Sequence, residues 1–248
     1  LEIDHPRGAL KMRTVQAVAW KEIQIYFSSP TAYIVAMIFL ALASFFFVRG
    51  LSDPVPQASM SGFFQGATII FALLTPTLTM RLLAEEQKLG TIELLLTSPV
   101  RDWEIVVGKY LASVVFLVST VAPSLYFVLL LAIFANPDSG PIWSGYLGLA
   151  LYGAASLSIG MLTSTLTNNQ IVAAVVAMGI LLVLYFTDFA AGTLTGLPAT
   201  IVNEVGMKNH FNDFDRGVID TKHIAYYLLV TSSFIFVTIR ALESRRWR

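Results

Sequence analysis

Six stretches of apolar residues, near 31 to 48, 63 to 80, 110 to 134, 143 to 165, 171 to 187 and 224 to 241, fill most of the chain. About 20 apolar residues at roughly 1.5 Å rise per residue cross a hydrocarbon core of about 30 Å, so each stretch predicts a membrane-spanning helix. Between the second and third lies the charged segment RLLAEEQKLGTIELLLTSPVRDWEIVVGKY at 81 to 110. There Glu85, Glu86, Lys88 and Glu93 alternate with Leu82, Leu89, Ile92 and Leu96, which predicts an amphipathic helix across 81 to 97 stopped by Thr97, Ser98 and Pro99. Asp102 is placed to cap a second helix running through Trp103 into span three.

Residues 13 to 27 mix Trp20, Lys21 and Glu22 with Val15, Ile23 and Phe27. That pattern predicts a helix along the inner membrane face, with a turn at Ser29 before Pro30. Trp20, Tyr26 and Tyr33 are expected interfacial anchors. Pro76 and Pro123 predict kinks in spans two and three, because each removes an intrahelical hydrogen bond. The segment 188 to 222 is too apolar for a free linker, and short helices on the outer membrane surface are expected there. The first eleven residues precede Met12 and carry no apolar core, so they are read as a polar tail, an expression remnant or an upstream start, with 12 to 248 as one membrane domain and no signal peptide expected.

Charge sets the orientation. With Arg7 inside, twelve of the sixteen basic residues fall on the inner side, and only Arg49, Lys208, Arg216 and Lys222 fall outside. Both ends of the six-span bundle's chain are therefore expected in the cytoplasm. A 56% hydrophobic content and 13% charged residues fit a helical membrane protein and not a soluble domain.

Candidate chemistry is sparse. The chain has no cysteine, which excludes thiolate catalysis and disulfides. His5, His210 and His223 show no metal-ligand spacing and are read as surface residues, while Asp213, Asp215 and Asp220 are read as solvated charges. No phosphate-binding loop occurs, the nearest fragment being Gly108-Lys109-Tyr110, so ATP is not expected to bind this chain. Arg81 and Asp188 sit at predicted span ends as boundary residues. Gly62 and Gly66 form one G-x-x-x-G spacing, a weak sign of close helix contact. The apolar stretches offer no acid, base or metal cluster at depth, so an intramembrane enzyme is not expected.

Read together, residues 81 to 113 resemble the coupling-helix region of type 2 ABC transporter permeases. Arg81, Glu85, Glu86, Lys88, Gly90, Thr91, Glu93, Ser98 and Pro99 fall on that family's pattern, followed by Gly108 and Lys109. TNNQIVAA at 167 to 174 and HFNDFDRGVIDTKHIAYY at 210 to 227 are similar to later signatures of the subgroup with the gliding-motility permease, the second bringing in His210, Phe211, Phe214, Arg216, Gly217 and Asp220. The resemblance implies an all-α integral membrane fold of six transmembrane helices with an N-terminal amphipathic elbow helix carrying Trp20, Lys21 and Glu22, a cytoplasmic coupling helix, and short outer helices between spans five and six.

It also implies two separate ATPase subunits carrying ATP and Mg, and a second permease copy or related chain, in a bacterial plasma membrane. In that arrangement Glu85, Glu86 and Glu93 would meet basic groups of the ATPase and Gly90 would allow close approach. The expected activity is ATP-driven export of an apolar or lipid-linked cargo by a chain that is not itself an enzyme. The alternative is a membrane anchor that passes ATPase motion to an outer envelope or accessory protein. Membrane lipids are expected partners and nucleic acid is not.

Overall fold

A computed structural model describes residues 7–52, 58–90, 100–135, 137–193 and 195–245, with side chains described from 14 to 244 within these stretches. The described residues are helical or in turns, with no strand among them. The order is α1 (Arg7–Ser28), α2 (Pro30–Leu51), α3 (Ser61–Thr79), α4 (Ala84–Lys88), α5 (Asp102–Val121), α6 (Leu125–Phe134), α7 (Ser139–Leu166), α8 (Gln170–Thr193), α9 (Leu197–Val205), α10 (Met207–Asp215) and α11 (Thr221–Arg245). Six segments among these are long and apolar enough to cross a membrane: α2, α3 continued through α4, α5 with α6, α7, α8 and α11. The chain is thus built as a multi-pass membrane protein.

The spans alternate in direction, so α1, α4 and the end of α11 lie at one end of the bundle, and α9 with α10 at the other. Helix α1 begins at Arg7, inside the stretch expected to be a tail. Pro54 and Pro56, which the sequence places in a turn between the first two spans, lie outside the described residues.

Helices α3 and α7 form the centre: 67% and 72% of their apolar windows are buried, against 28% or less for the other four spans. In lipid the hydrophobic effect does not press helices together, so close packing of small residues has to do it. The sequence supplies this on α7. A Cβ at Gly148 would stand 2.7 Å from the Cβ and Cγ of Phe214, so the backbone of α7 touches the base of that ring only because Gly148 lacks a side chain. Gly62 and Gly66 of the G-x-x-x-G spacing lie against Gly50 and Phe46 of α2, so the motif closes a contact inside the chain. Around them Phe39, Phe63, Phe64, Phe71, Phe211 and Tyr152 fill the core.

The two prolines act differently. Pro76 falls within the last turn of α3, which simply ends at Thr79. Pro123 breaks span three: a 3₁₀ turn, Ala122–Ser124, separates α5 from α6, and Ser124 Oγ shares a hydrogen bond with Tyr146 Oη at 2.9 Å. Helix starts are satisfied locally, with Asp138 Oδ1 accepting from Gly140 N at 3.0 Å before α7 and Asn169 Oδ1 from Ile171 N at 3.0 Å before α8.

Gly148→Ala is expected to destabilise the bundle by about 1–3 kcal/mol through overpacking against Phe214. Gly179→Ala, at a position with nothing within 4 Å of the added Cβ, should be neutral or stabilising. Thermal unfolding in detergent followed by tryptophan fluorescence compares the two.

Candidate functional site

The charged segment between spans two and three is not one continuous helix. The chain leaves α3, turns through Arg81 to Leu83, forms only the five residues of α4, and ends at Gly90 with φ 69°. A left-handed residue terminates a helix, and glycine adopts it without steric cost, so Gly90 stops α4 two residues beyond Lys88. The expected helix across 81 to 97 is therefore broken at 90. Leu82 is buried while Leu89 is exposed, so the two do not share a face. Thr91, Glu93, Ser98 and Pro99 lie outside the described residues.

The cap of span three is also shifted by one residue from expectation. Helix α5 begins at Asp102, so Arg101 is the capping position, and the Glu104 carboxylate accepts from Arg101 N at 3.0 Å in place of the expected Asp102 cap.

Helix α4 is held by two neighbours. On one side Ser164 Oγ of α7 accepts from Leu83 N at 3.1 Å and Ala84 N at 3.0 Å and donates to Met80 O at 3.1 Å. A single hydroxyl thus joins the end of α3 to the start of α4. Gln87 Nε2 donates to Thr165 O at 3.0 Å. On the other side Lys109 Nζ of α5 lies 2.9 Å from Glu86 Oε1 and 3.0 Å from Glu22 Oε2 of α1.

Lys109 is 4% exposed, with Glu22 at 13% and Glu86 at 24%. A buried ammonium needs paired carboxylates to offset its lost hydration, and here it has two, from two different helices. Gly108 makes the approach feasible: a Cβ there would sit 2.9 Å from Val18 Cβ and 3.1 Å from Val15 O of α1. The adjacent Gly-Lys pair therefore docks α1 with one residue and ties it to α4 with the next.

Glu86, expected to meet basic groups of a partner, thus has its cation within its own chain. Arg81 and Glu85 are half-buried, and Lys88 and Gly90 are exposed at the tip. Of the α1 candidates, Trp20 and Lys21 are exposed and Glu22 faces inward. Tyr26 is not an interfacial anchor but is 3% exposed, stacked on Phe116 at 4.9 Å and donating to Leu78 O at 3.0 Å. Burial, with the nearby Glu22 carboxylate adding, pushes its phenol well above the ordinary tyrosine value, which keeps it a donor.

At the opposite end α10 does not rest on a surface. Met207, His210, Phe211 and Phe214 are buried between α7, α8 and α11. His210 and His223 are buried too, against the expectation of surface histidines, and two of the three acids are also tied to side chains, Asp220 alone being exposed: Asp215 Oδ2 accepts from Ser61 Oγ at 2.7 Å and Gln65 Nε2 at 2.9 Å of α3, and Asp213 Oδ2 lies 2.6 Å from His223 Nε2. Gly217 turns the chain with φ 88°, Arg216 is exposed beside it, and Asp220 Oδ1 accepts from Lys222 N at 2.9 Å to cap α11. Asp188, expected at a span boundary, faces Lys208 Nζ at 4.0 Å.

A family model described as ABC-2 family transporter protein matches residues 49–207, more than half of the chain. No curated protein matches it. The matched stretch includes Glu86 and Lys109, and the third member of the triad, Glu22, lies before it.

Lys109→Met is expected to cost about 3 kcal/mol or more, because it strands two partly buried carboxylates. Adding Glu22→Gln and Glu86→Gln to the same variant should restore most of the loss. Unfolding midpoints of the single and triple variants in mild detergent check this, and equal midpoints would assign the loss to packing of the lysine stem.

Proposed function

Because the chain belongs to the ABC-2 family of transporter proteins, we propose that it is the membrane permease subunit of an ATP-driven exporter whose ATPase docks at the α4 end of the bundle. The carrying observation is the joint attachment of α4: one short helix with an exposed tip is bound to α3 and α7 through Ser164 and to α1 and α5 through Lys109. A partner that grips Lys88, Leu89 and Gly90 thereby acts on four helices at once.

ATP and Mg bind the separate ATPase subunits, two of them in this reading, working with two permease chains that are copies or relatives. Closure of the ATPase pair displaces α4. The displacement passes to α5 and α1 through Glu86, Lys109 and Glu22, and to α7 through Ser164 and Gln87. The segment 91 to 99, with Thr91, Glu93, Ser98 and Pro99, completes the ATPase contact. The cargo is apolar or lipid-linked, since the spans carry almost no charge at depth to coordinate an ion. The membrane is the bacterial plasma membrane with α4 on the cytoplasmic side, as the distribution of basic residues supports.

A second reading is favoured by the packed outer end. There α10 is seated in the bundle by Phe211, Phe214 and hydrogen bonds from α3 and α7, a firm platform for handing motion to an outer protein without transport. Stimulation of ATP hydrolysis by an added lipid-linked substrate in vesicles favours export; stimulation only by an outer protein favours the anchor.

The chain carrying an affinity tag is expected to co-purify from its native membranes with a chain containing a phosphate-binding loop, and the complex should hydrolyse ATP. Lys88→Glu with Leu89→Asp, both at the exposed tip, should reduce recovery of that chain by about tenfold or more while the bundle melts as before. Wild-type chain recovered with no ATPase, or undiminished recovery with the double variant, overturns the reading.

A further inference from the structure

At the junction between α9 and α10 side chains reach back to four backbone carbonyls where one helix ends and the next begins. Asn209 Nδ2 donates to Asn203 O at 3.0 Å, Tyr226 Oη to Val205 O at 2.6 Å and Tyr227 Oη to Met207 O at 2.7 Å. The remaining one, Glu204 O, lies 3.0 Å from His210 Nε2. His210 Nδ1 in turn lies 2.7 Å from His223 Nδ1, and His223 Nε2 lies 2.6 Å from Asp213 Oδ2. The two rings are 4% and 8% exposed, and Tyr226 stacks on His210 at 3.8 Å. Four groups from three helices therefore form one unbranched line.

Such a line fixes its own proton count. A carbonyl only accepts, so His210 Nε2 carries a hydrogen. One further proton fits between the two Nδ1 atoms at 2.7 Å, and His210 accepts it from His223. A third lies between His223 Nε2 and Asp213 Oδ2, 2.6 Å apart. A fourth proton has no place on the rings, because it would put a hydrogen on both Nδ1 atoms and a charge on both rings. An unfolded chain in acid carries that fourth proton freely.

We propose that Asp213, His223 and His210 form a proton-counting latch that holds α9 and α10 against α11 near neutral pH and opens in acid. The surrounding charges reinforce it. From α9 the Glu204 carboxylate is engaged by Lys222 Nζ at 2.8 Å. From α11 come Lys222 itself, His223 and the phenols of Tyr226 and Tyr227, and Asp220 stands at its cap. On α10, Lys208 faces Asp188 of α8, and Asp215 is held by Ser61 and Gln65 of α3. Helices α3 and α7 bring no charged side chain.

Burial, with the charges of His223 and Lys222 adding, holds His210 below its ordinary value of 6.5, against the pull of the Glu204 carbonyl. The depressed value favours the neutral ring in the folded protein. The share of the stabilisation that comes from His210 is then fully present above about 6.5 and is lost as pH falls below it, by up to about tenfold in the opening equilibrium per pH unit.

Hydrogen exchange of the full chain in lipid nanodiscs, corrected for the chemical pH dependence, tests this. Protection of α9 and α10 amides is expected to fall by up to about tenfold between about pH 6.5 and 5.5 while α3 and α7 hold theirs. His210→Gln, which can still donate to Glu204 O and accept from His223 but cannot take the fourth proton, should abolish the fall. An unchanged wild-type profile, or an equal fall in the variant, overturns the latch. Selective ¹⁵N labelling of the three histidines gives a check that needs no variant. At pH 7 His210 should read as a neutral Nε2–H tautomer; a doubly protonated His210 overturns the assignment. Because the latch is local to the α9–α10 cap, its failure leaves the permease reading untouched.

Discussion

A lysine buried between two carboxylates at the start of span three decides how one end of this bundle is assembled. Lys109 cannot stay charged at that depth without Glu22 and Glu86, and they come from helices that otherwise share little contact. The position of α1, the seating of α4 and the first turns of α5 are thus conditions of one another. An apolar triad of the same volume could match the stability but would lack the directional demand that places α4 in one orientation. Ser164 adds a second fixed point on the other side of α4. Two fixed points define the orientation of a helix too short to hold itself by its own hydrogen bonds.

The two ends of the molecule solve one problem in different ways. Both must bury polar backbone where helices stop, and both do so by bringing side chains from other elements. At the α4 end the solution is a full ion triad with a hydroxyl bridge. At the α9 and α10 end it is a set of amide, phenol and imidazole donors to carbonyls, with Asp213, His223 and His210 joined in one line. Between them the packing is carried by small residues and aromatic rings, as expected where lipid removes the hydrophobic drive between helices.

The spans were plain in the sequence because a run of apolar residues as long as a bilayer has few other meanings, and all six appear as helices of sufficient length. The break at Pro123 was legible for the same reason, being local, whereas the cap of span three was misplaced by one residue, at Asp102 instead of Arg101. Partners brought together from distant positions were not legible. His210 and His223 are thirteen residues apart with a turn between them, and nothing in their spacing says that the rings meet. Glu86 looked like a docking residue because Lys109 is 23 positions away and Glu22 is 64. The Gly108-Lys109 pair was the available signal, a glycine beside a lysine at the mouth of an apolar span. Gly90 misled because glycine within an apolar period fits a helix on paper, whereas its left-handed conformation ends one.

Helix α7 is the element that joins the two ends. Its last turn holds α4 through Ser164 and Thr165, and its first turns hold α10 through Ser144, which donates to Phe214 O at 2.6 Å, and through Gly148. At about 1.5 Å per residue its 28 residues reach roughly 42 Å, the full height of the bundle. Beyond Pro141 in its first turn it contains no proline, while α3 carries Pro76 and span three is broken at Pro123. A helix that is continuous and mostly buried moves as a rod, and one with a broken ladder bends at the break. Span three is broken at Ala122–Ser124, whereas α7 runs without such a break from its contacts with α10 to its contacts with α4, so the central helix, rather than the lipid-facing ones, is the continuous element that touches both ends.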